Sequence, residues 1–187
     1  VLKVGDFEIP KLAKNDILLK MEYSSVNPAD TKKRSGWLGA SLDKEFIIPH
    51  ADGAGQIVEI GQAVDKSFLN KKVWMFGGKK EAQFGTCAEY FSTTLENVFE
   101  LPEETSSLVA SCLGVPVATA YYAVFSDNKP AGQIIFISGG AGAVSHYAIQ
   151  FAKLSGAQVI TTVSNDIKRE IFRGAEVATL LPYDPIK

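Results

Sequence analysis

Residues 139–145, GGAGAVS, are where this chain is best equipped to do chemistry. A glycine turn between a strand and a helix lets the backbone approach a phosphate closely, and the helix start offers free N–H groups and the positive end of its dipole. Gly139 and Gly142 occupy the first two glycine positions of a G-x-x-G-x-x-G dinucleotide fingerprint, with Ser145 at the third, where glycine normally allows close helix–strand packing. A purely structural loop is the other reading of the same residues. NAD sites place an acidic side chain about 20 residues after the turn. Here the next strand ends in Val163, Ser164 and Asn165, followed by Asp166 and Lys168. A hydroxyl, an amide and a lysine suit a ribose 2′-phosphate, so NADPH is expected, while Asp166 leaves NADH open and Lys168 could be a solvated helix charge.

Other chemistries find little support. There is no Ser-His-Asp arrangement, no pair of catalytic carboxylates and no Cys-His couple. Cys87 and Cys112 form no C-x-x-C pair and are expected as small buried apolar residues. His50 has no neighbouring sulfur partner and is expected to be structural.

The elements that must position the glycine turn can be read on either side of it. QIIFIS (133–138) is a continuous apolar run, as in a strand buried on both faces of a parallel sheet. A helix over 146–154 turns Ile149 and Ala152 to that sheet, Gly156 ends it, and QVITTV (158–163) is a second buried strand. Together they make a βαβ unit. Upstream, Thr105 or Ser106 can cap a helix with Leu108, Val109, Cys112 and Leu113 packed on one side, and a second apolar helix is expected over 116–125. Before residue 100 the chain reads as strands at 16–25, 53–60 and 72–76, with Asn27-Pro28, Ser35-Gly36, Asp52-Gly53 and Gly77-Gly78 interrupting any helical period. That texture suggests a compact, mostly β, barrel-like domain.

Composition fits this picture. With 187 residues, 46% hydrophobic and 21% charged, the chain has enough apolar material for a real core in one or two domains. Nineteen basic against 21 acidic side chains give no long-range field for nucleic acid or anionic lipid. No apolar run approaches the roughly 20 residues of a membrane helix. Two cysteines and an N-terminus without a secretory pattern point to a cytoplasmic setting.

Five segments carry a resemblance to a known family: SSVNPADTKKRSG (24–36), PHADGAGQIVEIG (49–61), FGTCAEYF (84–91), CLGVPVATAYYAVF (112–125) and GGAGAVSHYAIQFAK (139–153). In this order they resemble the medium-chain dehydrogenase/reductase superfamily, and within it the zinc-free quinone oxidoreductases. The resemblance implies α/β plus β architecture: a GroES-like β-barrel domain (1–104), then a helical connection and the first half of a Rossmann-type doubly wound parallel sheet (105–187). It implies a hydride transfer from NADPH to a quinone or activated enone, with a small-molecule substrate and neither nucleic acid nor membrane as partner. Asn27 and Asp30 would line the cleft near the nicotinamide, with Thr119 opposite. Gly142, Ala143 and Val144 would face the diphosphate, Ser164 and Lys168 the 2′-phosphate, and Tyr183 the adenine end. Asn-Pro-x-Asp is also a good turn on its own. Where the zinc branch has its ligands this chain has Val26, Asn27 and Ala51, so no zinc is expected.

By the same resemblance the chain is expected to be a fragment or a shortened member of a longer type, without the family's first strand and second half-sheet. A catalytically silent nucleotide-binding or assembly module is the alternative. The strand over 133–138 would then present an open edge, to be covered by another copy or by the missing half.

Overall fold

The computed structural model describes residues 2–36, 45–77, 83–127, 130–163 and 179–182. The chain divides into two compact units, Val1–Val115 and Pro116–Lys187.

The first unit is built on a five-stranded antiparallel sheet in the order β4-β1-β2-β3-β5. Its strands are β1 (Asp16–Ser25), β2 (Asp52–Ile60), β3 (Lys72–Met75), β4 (Tyr90–Thr94) and β5 (Val98–Glu100). β1 lies between β2 and β4, with Ile17 opposite both Ile60 and Thr93. Its first residues are buried for that reason, and Ile17, Leu19, Ile57, Val73, Met75 and Phe91 form the core. Each such side chain taken fully out of water contributes about 1.5–3 kcal/mol before entropy is counted.

A helix follows β1 where the sequence suggested only an interruption. Asn27 is extended and caps α1 (Pro28–Arg34), and proline at the first helical position is a start signal, because its missing N–H would have had no partner there. Further along, Ser106 does cap a helix, its Oγ accepting from Val109 N–H at 3.3 Å, but α2 (Ser107–Ala110) is a single turn. It buries Ser107 and Ala110, whereas Leu108 and Val109 are exposed, so the expected apolar stripe is not the packed face. A four-residue turn has no room for a 3.6-residue period to govern burial; the small residues lie on the sheet because they fit. Cys87 and Cys112 are likewise exposed, not buried as expected.

α3 (Gly114–Phe125) begins in the first unit and continues into the second. The second unit contains a parallel sheet in the order β6-β7-β8, made of β6 (Ile134–Ile137), β7 (Gln158–Val163) and β8 (Thr179–Pro182). Between β6 and β7 runs α4 (Ala143–Leu154), which starts three residues earlier than the sequence pattern indicated. Ile149 and Ala152 do pack toward the sheet, against Val159 and Val163. β6 departs from expectation: Ile134 is 68% and Phe136 59% exposed, so only one face is covered. As an edge strand with a helix on one side, β6 shows its alternate residues to solvent. Among the described residues no helix is long and apolar enough to cross a membrane.

Candidate functional site

In the first unit the chemistry gathers around a buried carboxylate. Asp52 opens β2 and is 0% exposed. Its Oδ2 accepts two hydrogen bonds, from Asn27 Nδ2–H at 2.8 Å and from Val115 N–H in the first turn of α3 at 2.7 Å. Its Oδ1 is enclosed and has no hydrogen-bond partner among the described residues. Burial pushes the Asp52 carboxyl above its ordinary range; the bonds from Val115 and Asn27 oppose that rise, and the nearby Asp30 charge adds to it. Gly114 packs directly on this carboxylate, which a Cβ at that position would overlap. Asp30 accepts from Asn27 N–H at 2.7 Å, fixing the start of α1. Asn27, only 5% exposed, is therefore held at both its backbone and its side-chain amide.

The backbone of Asp52 extends the network. Its carbonyl accepts from Thr86 Oγ1 at 2.7 Å, Thr86 Oγ1 lies 2.9 Å from Ser24 Oγ, and Ser24 Oγ lies 2.9 Å from His50 Nδ1. Of the residues singled out by sequence, Asn27 and Asp30 come together here. Asp52, Thr86 and Ser24 were not singled out. An acidic residue at the head of a strand otherwise rich in glycine and apolar residues was the available signal for Asp52.

The second unit holds the glycine bend. Gly139 adopts φ +66°, in the region glycine favours, and its N–H donates to Thr162 Oγ1 at 2.8 Å. Gly140 N–H donates to the Thr162 carbonyl at 2.9 Å and Gly142 N–H to the Gly139 carbonyl at 2.8 Å. Gly142 is the N-cap of α4 and has no side chain to accept from the first turn, so the N–H groups of Ala143 and Val144 have no partner among the described residues. Close packing falls on Gly140, where a Cβ would overlap Thr161 Oγ1 and lie 3.0 Å from Ile149 Cδ1. The doubled glycine in the sequence was its signal. Ser145, expected to loosen the packing, instead donates from Oγ to the Ser138 carbonyl at 2.9 Å and ties α4 to the end of β6.

Gly139, Gly142, Ala143 and Val144 are thus brought together. Thr119 is exposed on α3. Ser164, Lys168 and Tyr183 lie outside the described residues. Among the described residues no group of three or more His, Cys, Asp or Glu side chains could hold a metal ion.

Residues 13–103 match the alcohol dehydrogenase GroES-like domain family. The chain is 33% identical over 168 residues to a chloroplastic quinone-oxidoreductase homolog of Spinacia oleracea, covering 86% of this chain and 50% of that one. It is 29% identical over 188 residues to a chloroplastic NADPH-dependent alkenal/one oxidoreductase of Arabidopsis thaliana, covering 95% of this chain and 48% of that one. Among solved structures, the quinone oxidoreductase of Coxiella burnetii superposes with a TM-score of 0.85 at 29% identity, over 98% of this chain and 58% of its own. A mycobacterial protein solved with NADPH superposes with a TM-score of 0.80 at 25% identity, over 97% of this chain and 55% of its own. The chain spans about half the length of the curated relatives it matches. A GroES-like sheet, the start of a Rossmann fold and these likenesses lead to one assignment: the chain belongs to the medium-chain dehydrogenase/reductase superfamily, and the relatives it matches include quinone oxidoreductases.

Proposed function

We propose that this chain contributes the GroES-like domain (1–104) and the first part of the nucleotide domain (105–187) of an oxidoreductase that transfers hydride from NADPH to a quinone or activated enone without zinc. The observation that carries the reading is the bend at Gly139–Gly142, which ends in a side-chain-free cap and leaves α4's first N–H groups open to an anion. Gly139, Gly142, Ala143 and Val144 hold the diphosphate in this reading, Ser164 and Lys168 the 2′-phosphate, and Tyr183 the adenine end. Asn27 and Asp30, with Thr119, orient the nicotinamide and the acceptor. When bound, the reduced nicotinamide supplies the hydride; the chain's own residues hold the reactants at about 3–3.5 Å and keep their orientation. The zinc-free reading rests on Val26, Asn27 and Ala51 at the ligand positions of the zinc branch. A cytoplasmic setting and a small-molecule acceptor, with neither nucleic acid nor membrane as partner, belong to the same reading.

An NADPH fluorescence titration followed by 1,2-naphthoquinone turnover on the same sample tests it. Saturable binding with turnover is expected. Lys168→Ala should weaken NADPH about tenfold and leave NADH unchanged, since one charge-assisted contact to a phosphate is lost. Equal losses for both cofactors would remove the 2′-phosphate assignment. The exposed edge at Ile134 and Phe136 favours a second reading, a silent module that binds nucleotide or mediates assembly; binding without turnover would support it.

A further inference from the structure

Thr86, Ser24 and His50 form a hydrogen-bonded series whose proton order follows link by link. Thr86 Oγ1 contacts the Asp52 carbonyl oxygen, which can only accept, so the one threonine proton is committed there. Ser24 must then donate to Thr86. With the serine proton committed in turn, the contact between Ser24 Oγ and His50 Nδ1 is made by a proton on Nδ1. Neutral His50 is therefore the Nδ1–H tautomer, and Nε2 carries either a lone pair or, in the imidazolium, the exchangeable proton. The ring is half-buried, and Nε2 has no hydrogen-bond partner among the described residues.

Two further features bear on this histidine. It holds φ +74°, a left-handed conformation that side chains seldom adopt, and such strain at a non-glycine residue concentrates at functional positions. It also belongs to the network that positions Asn27, since Thr86 binds the backbone of Asp52 and Asp52 binds the Asn27 amide. The series ends on a backbone carbonyl, so no proton runs through it to the Asp52 side chain. Its effect is to orient the imidazole and leave Nε2 as the ring nitrogen without a partner among the described residues.

We infer that His50 supplies from Nε2 the proton that completes the reduction, with Ser24 and Thr86 as the positioning residues that fix its tautomer. This rests on the oxidoreductase reading above. Hydride from NADPH forms a C–H bond on an enone or an O–H bond on a quinone; the cofactor is oxidised and the acceptor becomes an enolate or hydroquinone anion. The Nε2–H bond breaks as that proton bonds to the anion, leaving neutral Nδ1–H imidazole, which regains a proton from water.

Long-range proton–nitrogen correlation spectra of the 15N-histidine-labelled chain read the tautomer directly, with His146→Gln assigning the two signals. The proton is expected on Nδ1, and Ser24→Ala should move it toward Nε2. An Nε2–H tautomer in the parent overturns the inference. In turnover, His50→Gly keeps a residue suited to the left-handed conformation. Its kcat on an enone should fall about a hundredfold or more, with NADPH affinity unchanged and partial recovery on adding imidazole. A parent-like kcat in that variant overturns the proton role while the oxidoreductase reading stands. A parent chain that neither binds NADPH nor turns over removes that reading and the proton role with it.

Discussion

Asp52 has two donors on one oxygen and none on the other, and that asymmetry makes it the most informative single residue. Because burial raises its carboxyl above the ordinary value of 3.8, the folded chain binds this proton more tightly than the unfolded one. Its contribution to stability is then greatest at low pH, falls as pH rises from that value through the raised one, and levels off beyond. Asp52→Asn keeps an oxygen for Asn27 and Val115 but removes the titration. Denaturant unfolding at a series of pH values should show this slope in the parent and not in the variant; identical slopes would refute the assignment. Asp52→Ala strands both donors, and a loss of about 1–3 kcal/mol for each is expected. At Gly140 an added methyl has nowhere to go between Thr161 and Ile149, so Gly140→Ala should cost about 1–3 kcal/mol. An unchanged melting temperature would mean that this contact yields freely. The bond between Asp30 and the Asn27 backbone is legible because Asn-Pro-x-Asp is a local turn motif. The partnership of Asp52 with Val115 is not, since 63 residues separate them and only the fold brings them together.

At the scale of elements, legibility followed length and pattern. β1 is legible to its ends from its alternation between turn residues, and the βαβ unit from two continuous apolar runs around glycines. β4 and β5 were not read as strands: five and three residues long, they are set by pairing to β1 and β3 rather than by local preference. α1 was hidden because proline reads as a breaker until its place at a helix start is known. The tie from Ser145 to the Ser138 carbonyl makes a prediction about α4 and β6 together. Ser145→Gly restores the third fingerprint glycine and removes one hydrogen bond, so chemical denaturation should show a loss of about 1 kcal/mol. NADPH affinity should stay within threefold. A tenfold change would place the hydroxyl against the diphosphate instead of the strand.

For the whole molecule, β6 is an edge of the three-stranded sheet among the described residues and carries Ile134 and Phe136 in the open. An uncovered strand of this kind invites pairing with another chain. We expect association with a second copy or with further parts of the same protein type, and monodisperse monomer in light scattering at micromolar concentration would refute that. The two-unit organisation also bears on how unfolding will look. Trp74 stacks on Phe99 with ring centroids 4.6 Å apart, and both of the chain's tryptophans, Trp37 and Trp74, precede residue 115. Indole emission during heating will therefore come from residues of the first unit. Residues 116–187 hold no tryptophan but do hold α4, so circular dichroism at helical wavelengths is the signal that will register their melting.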